Sequence, residues 1–278
     1  MTADQSRKAT LFASLHEGPP LLVMPNPWDP GSARILAALG FKALATSSAA
    51  SAGVLGRRDG NLTRDEALTH VSAIVNATDL PVSADLENGF DDDPAQVART
   101  ILLGAEAGLV GGSIEDATRD STKPLYELSH ATERVEAAVQ AARSLPFTFT
   151  LTARAENFIR GNPDLNDTIR RLQAFERAGA DVLFAPGLPD LASVREICAS
   201  VSKPVNFMVG IKGRSFTVEE LEAAGVRRVS LATSLYRKAM SALVEAAREV
   251  IDHGTFSYLE QSMITSELSD KVWTNKKP

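Results

Sequence analysis

Val82-Ser83-Ala84-Asp85-Leu86-Glu87-Asn88-Gly89-Phe90 is a short apolar run that ends in two carboxylates, two residues apart, and then breaks on Asn-Gly. Side chains alternate faces along a strand, so a strand here would put Asp85 and Glu87 on one face, about 7 Å apart. Two acids on one face of a buried strand are costly unless a cation or a proton joins them. The stretch therefore points to a divalent-metal site at the end of a buried strand.

Working outward from it, β-rich runs alternate with helical ones along the whole chain. Strands are expected over 21–26, 41–46, 82–90, 109–114, 147–153, 181–185, 204–209 and 228–232. Helices are expected over 30–39, with proline at the start and Gly40 past the end, and after Thr63, which has Glu66 three residues on in a capping-box pattern. Further helices are expected over 94–107, 127–143, 165–177 and 191–200, and after strands seven and eight; the small residues of 47–60 read as a loop. Eight such units with no linker predict an α/β chain folded as a (β/α)₈ barrel of TIM type, one domain over 1–278. An open doubly wound sheet is the runner-up, but no G-x-G-x-x-G follows the first strand. Residues 252–278 extend past the eighth unit and carry Phe256, Leu259, Met263, Ile264 and Trp273, an apolar tail suited to packing on a partner subunit.

Composition narrows the class. The 278 residues are 44% hydrophobic and 23% charged, ordinary for a globular chain, and the formal charge of −6 argues against nucleic acid or an anionic membrane as partner. The single cysteine, Cys198, excludes an intrachain disulfide framework and a multi-cysteine metal site. The N-terminal residues lack the apolar core of a signal peptide, and no run reaches membrane-spanning length, so a cytoplasmic enzyme is the default expectation.

Catalytic groups of such a barrel gather at the carboxyl ends of its strands. Those ends carry Asn26 and Asp29, then Thr46, Ser47 and Ser48, then Asp85 and Glu87. Strands four, five and seven add Glu115 and Asp116, Arg154 and Glu156, and Asn206. Mg²⁺ takes oxygen ligands and keeps several waters, so Asp85 could bind it directly and the other acids through water, with Mn²⁺ as the alternative ion. Arg154 could grip a substrate carboxylate with its planar fork.

The ordered set MPNPWDPGSARIL, ATSSAASAGVLGRRDG, VSADLENGF, GGSIED, LTARAEN and NFMVG resembles the isocitrate lyase/phosphoenolpyruvate mutase superfamily, from about Leu21 to the eighth unit. The resemblance implies a (β/α)₈ barrel, a homo-oligomer (dimer or tetramer) whose C-terminal helix swaps between subunits, and a small α-keto or 2-hydroxy acid as substrate. It implies metal binding by Asp85, Glu87 and Glu115, and a catalytic role for Glu115, for Arg154 on the substrate carboxylate and for Asp59 on the loop after strand two. Thr46, Ser47, Ser48 and Asn206 become substrate-binding positions. The implied chemistry is Mg²⁺-assisted cleavage of a C–C bond through an enolate-type intermediate. The loop after Glu115 departs from the family: it reads Asp116-Ala117-Thr118-Arg119-Asp120-Ser121-Thr122-Lys123-Pro124, without the lyase Lys-Lys/Arg-Cys-Gly-His signature. That leaves a lyase, decarboxylase or hydrolase acting on an oxaloacetate-like acid as the leading expectation. A P–C bond enzyme, either a mutase or a phosphonopyruvate hydrolase, is the second, and a non-catalytic barrel binding an acidic metabolite the third.

Overall fold

The structure is a computed structural model and describes residues 3–272. Its strands are β1 (Leu22–Met24), β2 (Leu44–Ala45), β3 (Val82–Asp85), β4 (Gly111–Glu115), β5 (Thr150–Arg154), β6 (Val182–Phe184), β7 (Val205–Met208) and β8 (Arg228–Ser230). All pair in parallel, in the order β1-β8-β7-β6-β5-β4-β3-β2. The two ends of that order meet through the Ala45 amide, which donates to Pro25 O at 3.1 Å, and Asn26 Nδ2, which donates to Thr46 O at 2.9 Å. The sheet is thus a nearly closed (β/α)₈ barrel, as the alternating pattern predicts.

The helices are α1 (Ala3–Ser14), α2 (Pro30–Ala38), α3 (Ser48–Val54), α4 (Arg64–Val75), α5 (Pro94–Glu106), α6 (Leu128–Ser144), α7 (Leu165–Arg177), α8 (Leu191–Ser200), α9 (Val218–Ala223), α10 (Ser234–His253) and α11 (Thr265–Val272). Thr63 caps α4 in a full capping box with Glu66, and Asp29, Asp93, Asp164 and Asp190 cap α2, α5, α7 and α8 with their carboxylates. Apolar residues of the strands and of the helices' inner faces fill the space between sheet and helices, with Leu86, Ile101, Leu109 and Leu151 all at 0% exposure.

Three expectations change. The strand predicted over 82–90 stops at Asp85, because the chain turns: Glu87, Gly89 and Phe90 have φ of 49°, 79° and 65°. Asp85 and Glu87 therefore do not share a strand face; a turn brings them together. The turn is held from below by Arg134, 1% exposed, which donates to the backbone carbonyls of Asn88, Asp91 and Asp92. Second, the stretch 47–60 is not all loop: its small residues form α3, with Ala50, Ser51 and Ala52 buried. Third, α1 was not foreseen. It lies under the amino-terminal ends of the strands, where Gln5 Nε2 donates to Ala105 O and Leu109 O, and Phe12 fills the space left by Gly111. A Cβ at Gly111 would stand 2.8 Å from both the Phe12 ring and Thr150 O, so this close approach requires glycine.

The C-terminal helices are largely exposed. α10 has no buried residue, and Leu243, Ile251, Phe256 and Ile264 are exposed along the tail. α11 contacts α2 of its own chain. Trp273, counted in the apolar tail, lies outside the described residues, as do 274–278 of the predicted extension.

Candidate active site

At the carboxyl ends of the strands lies a pocket of about 190 Å³, and Asp85, Arg154, Thr46, Ser48, Asp59 and Asn206 are among its lining residues, as is Ser47. Glu87 and Glu115 line an adjoining pocket of about 420 Å³ together with Arg119 and Arg160, and Asp59 borders both. The predicted residues thus come to one end of the barrel, in two connected groups.

Asp85 is the junction. Its Oδ1 accepts from Arg154 Nη1 and from the Glu87 amide, each at 3.2 Å, and its Oδ2 accepts from the Ser48 amide at 3.2 Å. Its own amide donates to Thr46 Oγ1 at 3.2 Å. The loop after β2 is therefore tied to β3 through the side chain expected to bind metal. Ser47 is buried and heads α3 without a side-chain cap, its carbonyl accepting from Ser51 Oγ.

Arg154 is more heavily engaged than a free substrate clamp would be. Nε and Nη2 donate to Glu156 Oε1 at 3.0 and 2.7 Å, and Nη2 is 3.3 Å from Glu115 Oε2. Arg160 adds a second cation, donating from Nε to Glu156 Oε2 at 3.2 Å and from Nη2 to Glu115 Oε1 at 3.0 Å. Burial disfavours the charged form of Arg154, but Glu156, Glu115 and Asp85 outweigh it and raise its pKa. Burial and then the Glu156 charge push Glu115 well above the usual carboxylate range, with Arg154 pulling the other way. Glu87 is pushed up to about 7, first by burial and then by the charges of Asp85 and Asp59. One residue on, Asp116 is raised to about 6 by burial against the pull of Arg171, whose Nη1 donates to it at 3.0 Å.

Whether these residues fit a divalent cation is decided by charge and donor type. Four acids (Asp85, Glu87, Glu115, Glu156) surround two cations, Arg154 and Arg160, with Arg119 reaching only to 3.9 Å of Glu87. Negative charge is in excess, and the donors are the hard oxygens that Mg²⁺ or Mn²⁺ favours. Among the described residues no three His, Cys, Asp or Glu side chains converge closely enough to hold an ion between them. The set fits an ion bound by one or two carboxylates and completed by waters and substrate, not an all-protein cage.

Asp59 is exposed, accepts only from the Gly60 amide at 3.2 Å, and forms no ion pair among the described residues. The loop from Asp116 to Pro124 is a compact turn organised by Thr118 and Asp120, exposed over most of its length. Sequence reasoning missed Arg160 and Arg228. Arg160 stands four residues after Glu156, a spacing that pairs side chains on one turn. Arg228 stands two residues before Ser230 on the last strand, so the alternation of faces places it on the same inward side, where an arginine is conspicuous. His70 and His130 are engaged with backbone carbonyls, and His16, whose Nδ1 lies 2.8 Å from Phe12 O, also faces the pocket-lining Arg228 through Nε2.

Comparison with known proteins places this geometry. The profile of the phosphoenolpyruvate phosphomutase family matches residues 12–251. A solved structure from Burkholderia cenocepacia J2315, described as a candidate lyase/mutase, is 47% identical with a TM-score of 0.96, covering 99% of this chain and 98% of that one. The structure of a 2,3-dimethylmalate lyase, a member of the PEP mutase/isocitrate lyase superfamily, is 26% identical with a TM-score of 0.86, covering 97% and 96%. In sequence, oxaloacetate decarboxylase 2 of Pseudomonas fluorescens (strain Pf0-1) is 32% identical over 244 residues, 86% of this chain and 83% of that protein.

Proposed function

The chain belongs to the phosphoenolpyruvate phosphomutase family, within the PEP mutase/isocitrate lyase superfamily, and from that premise we propose that it is a Mg²⁺-dependent lyase that breaks a C–C bond of a small α-keto or 2-hydroxy acid. The observation that carries this reading is the acid-rich cluster around Arg154, open to a pocket whose lining includes neither cysteine nor histidine. Decarboxylation or hydrolysis of an oxaloacetate-like acid needs charge stabilisation and a held carboxylate more than it needs a thiol.

Asp85 would hold the ion directly, with Glu87 and Glu115 acting through water. A bound Mg²⁺ would supply positive charge to the substrate oxygen on which enolate charge develops. The chain supplies the remainder. Arg154, fixed by three carboxylates, presents a rigid cation to the pocket, and a group that need not reorganise is the more effective for it. The Ser48 and Glu87 amides fix the rotamer of Asp85, and the Thr46 hydroxyl accepts from its backbone amide. Asp59, exposed at the border of both pockets, would meet substrate as it enters and product as it leaves. We further propose that the exposed apolar tail packs on a second copy of the chain, giving a homo-oligomer.

The deciding measurement is a panel of α-keto, 2-hydroxy and phosphono acids incubated with Mg²⁺. Pyruvate and CO₂ from oxaloacetate, or oxalate and acetate from it, support C–C cleavage; no turnover of any α-keto or 2-hydroxy acid sinks it. The matched family's own name favours a second reading, a P–C bond enzyme, and phosphate released from phosphonopyruvate would select it.

A further inference from the structure

The deep end of the pocket holds a cation that no acid balances. Arg228, on β8, is 4% exposed, yet its guanidinium meets only neutral groups. Nε donates to Asn206 Oδ1 at 2.9 Å, Nη2 donates to Thr152 Oγ1 at 3.0 Å, and Nη1 lies 3.4 Å from His16 Nε2. Among the described residues it forms no ion pair, and burial pulls its pKa down to about 9 with no neighbouring acid to restore it. Arg154 is the contrast, with three carboxylates within 3.3 Å. Asn206 beside it is 1% exposed; Arg228 occupies its Oδ1, and its Nδ2 has no acceptor at all. Both residues line the pocket of about 190 Å³.

A buried charge without a counter-ion and a buried amide donor without an acceptor are each costly, and here they adjoin. One kind of partner relieves both: an anion. It can reach them only from the pocket, since His16 and Phe12 close the other side. We propose that Arg228 and Asn206 form an anion subsite at the pocket floor that takes the second carboxylate of a dicarboxylic substrate. The subsite rests on the reading of this pocket as the substrate site. Thr152, which touches Arg228, is two residues before Arg154 on β5, so Arg228 meets the strand one inward layer below Arg154, about 6.6 Å of strand rise. A short diacid spans that step, one carboxylate toward Arg154 and the metal cluster, the other on Arg228. The planar fork of Arg228 and the Asn206 N–H match a carboxylate's oxygens. A monoacid would leave one of the two positions unanswered, so this pair sets specificity for diacids.

The test is anion binding in EDTA, by melting temperature and calorimetry, with succinate, acetate and inorganic phosphate as probes. Succinate should stabilise the wild-type protein more than acetate, which can answer the floor but not reach Arg154 at the same time. Arg228→Met should weaken succinate at least tenfold. Asn206→Asp, which sets a carboxylate against the guanidinium, should raise the melting temperature of the free protein and abolish the succinate response. Wild-type succinate affinity in Arg228→Met overturns the subsite, as does an undiminished response in Asn206→Asp or phosphate binding as tight as succinate. If Arg228→Met does not fold, Asn206→Asp decides. Succinate binding at the floor without turnover of any α-keto or 2-hydroxy acid removes the proposed activity and leaves the subsite. Turnover of oxaloacetate by Arg228→Met at the wild-type KM does the reverse.

Discussion

Asp85 draws on three elements at once: the amide that opens α3, the arginine that ends β5, and the turn that follows its own strand. Asp85→Ala should lower Mg²⁺-dependent ligand binding by more than about 100-fold, since even outer-sphere partners are worth 10–100-fold, while the fold survives; an unchanged Mg²⁺ titration would remove Asp85 from the metal site. Arg154→Lys keeps the charge and loses the fork. KM should rise by roughly 10- to 100-fold from one lost charge-assisted bond of about 1.5–3 kcal/mol, and an unaltered KM would confine Arg154 to a structural role. Asp85 was legible because a carboxylate ending an apolar run has few bland explanations. The geometry around it was not: the alternation rule put Glu87 on the same strand face, whereas Glu87 sits at φ 49° in a turn fastened by Arg134, 46 residues beyond Asn88 in sequence. Nothing local announces a long-range anchor of that kind.

At the scale of elements, strand and helix order could be read directly, and two helices, 165–177 and 191–200, even in their bounds. Caps and alternation are local signals. α1 escaped notice because its apolar face is short and its importance lies in what it covers. Its last turn leads to His16, 6% exposed, with Nδ1 2.8 Å from Phe12 O and Nε2 facing Arg228. Burial, then the Arg228 charge, lowers the His16 pKa from 6.5 to about 4. The imidazole is held neutral in the folded state, so its contribution is complete above pH 6.5 and is lost as pH falls from 6.5 toward 4, about 3 kcal/mol in all. His16→Gln keeps one donor and one acceptor but takes up no proton. Denaturant titrations should therefore show a shallower loss of stability between pH 6.5 and 4 in the variant, and parallel curves would show that His16 does not titrate there.

On the scale of the whole molecule, α10 and the residues after it expose Leu243, Val244, Ile251, Phe256 and Ile264, with Ile251 at 80%. So much apolar surface on one extension suits a partner of like character. Sedimentation should give a mass above the 29.7 kDa of one chain, and Leu243→Glu with Ile251→Glu should shift it to the monomer. A wild-type protein that sediments as a monomer at all concentrations would end that reading. The tail's apolar residues could be read from sequence, but the contact of α11 with α2 of its own chain could not, since no local signal pairs elements so far apart. The loop after Glu115 is legible only as a departure, since its chemistry depends on what it closes over.

α1 covers the amino-terminal ends of the strands, with Phe12 against Gly111 and His16 against Arg228, while the pocket lies at the carboxyl ends. On the proposed reaction, a bond broken inside the pocket would yield two fragments that leave by the route the parent took. The fragment nearer the mouth would depart first, and the one seated against Arg228 and Asn206 last. Kinetically, the later fragment should inhibit competitively against substrate, the earlier one noncompetitively. Initial-rate measurements with each fragment added in turn would reveal the queue; competitive inhibition by both would mean that the exits are independent.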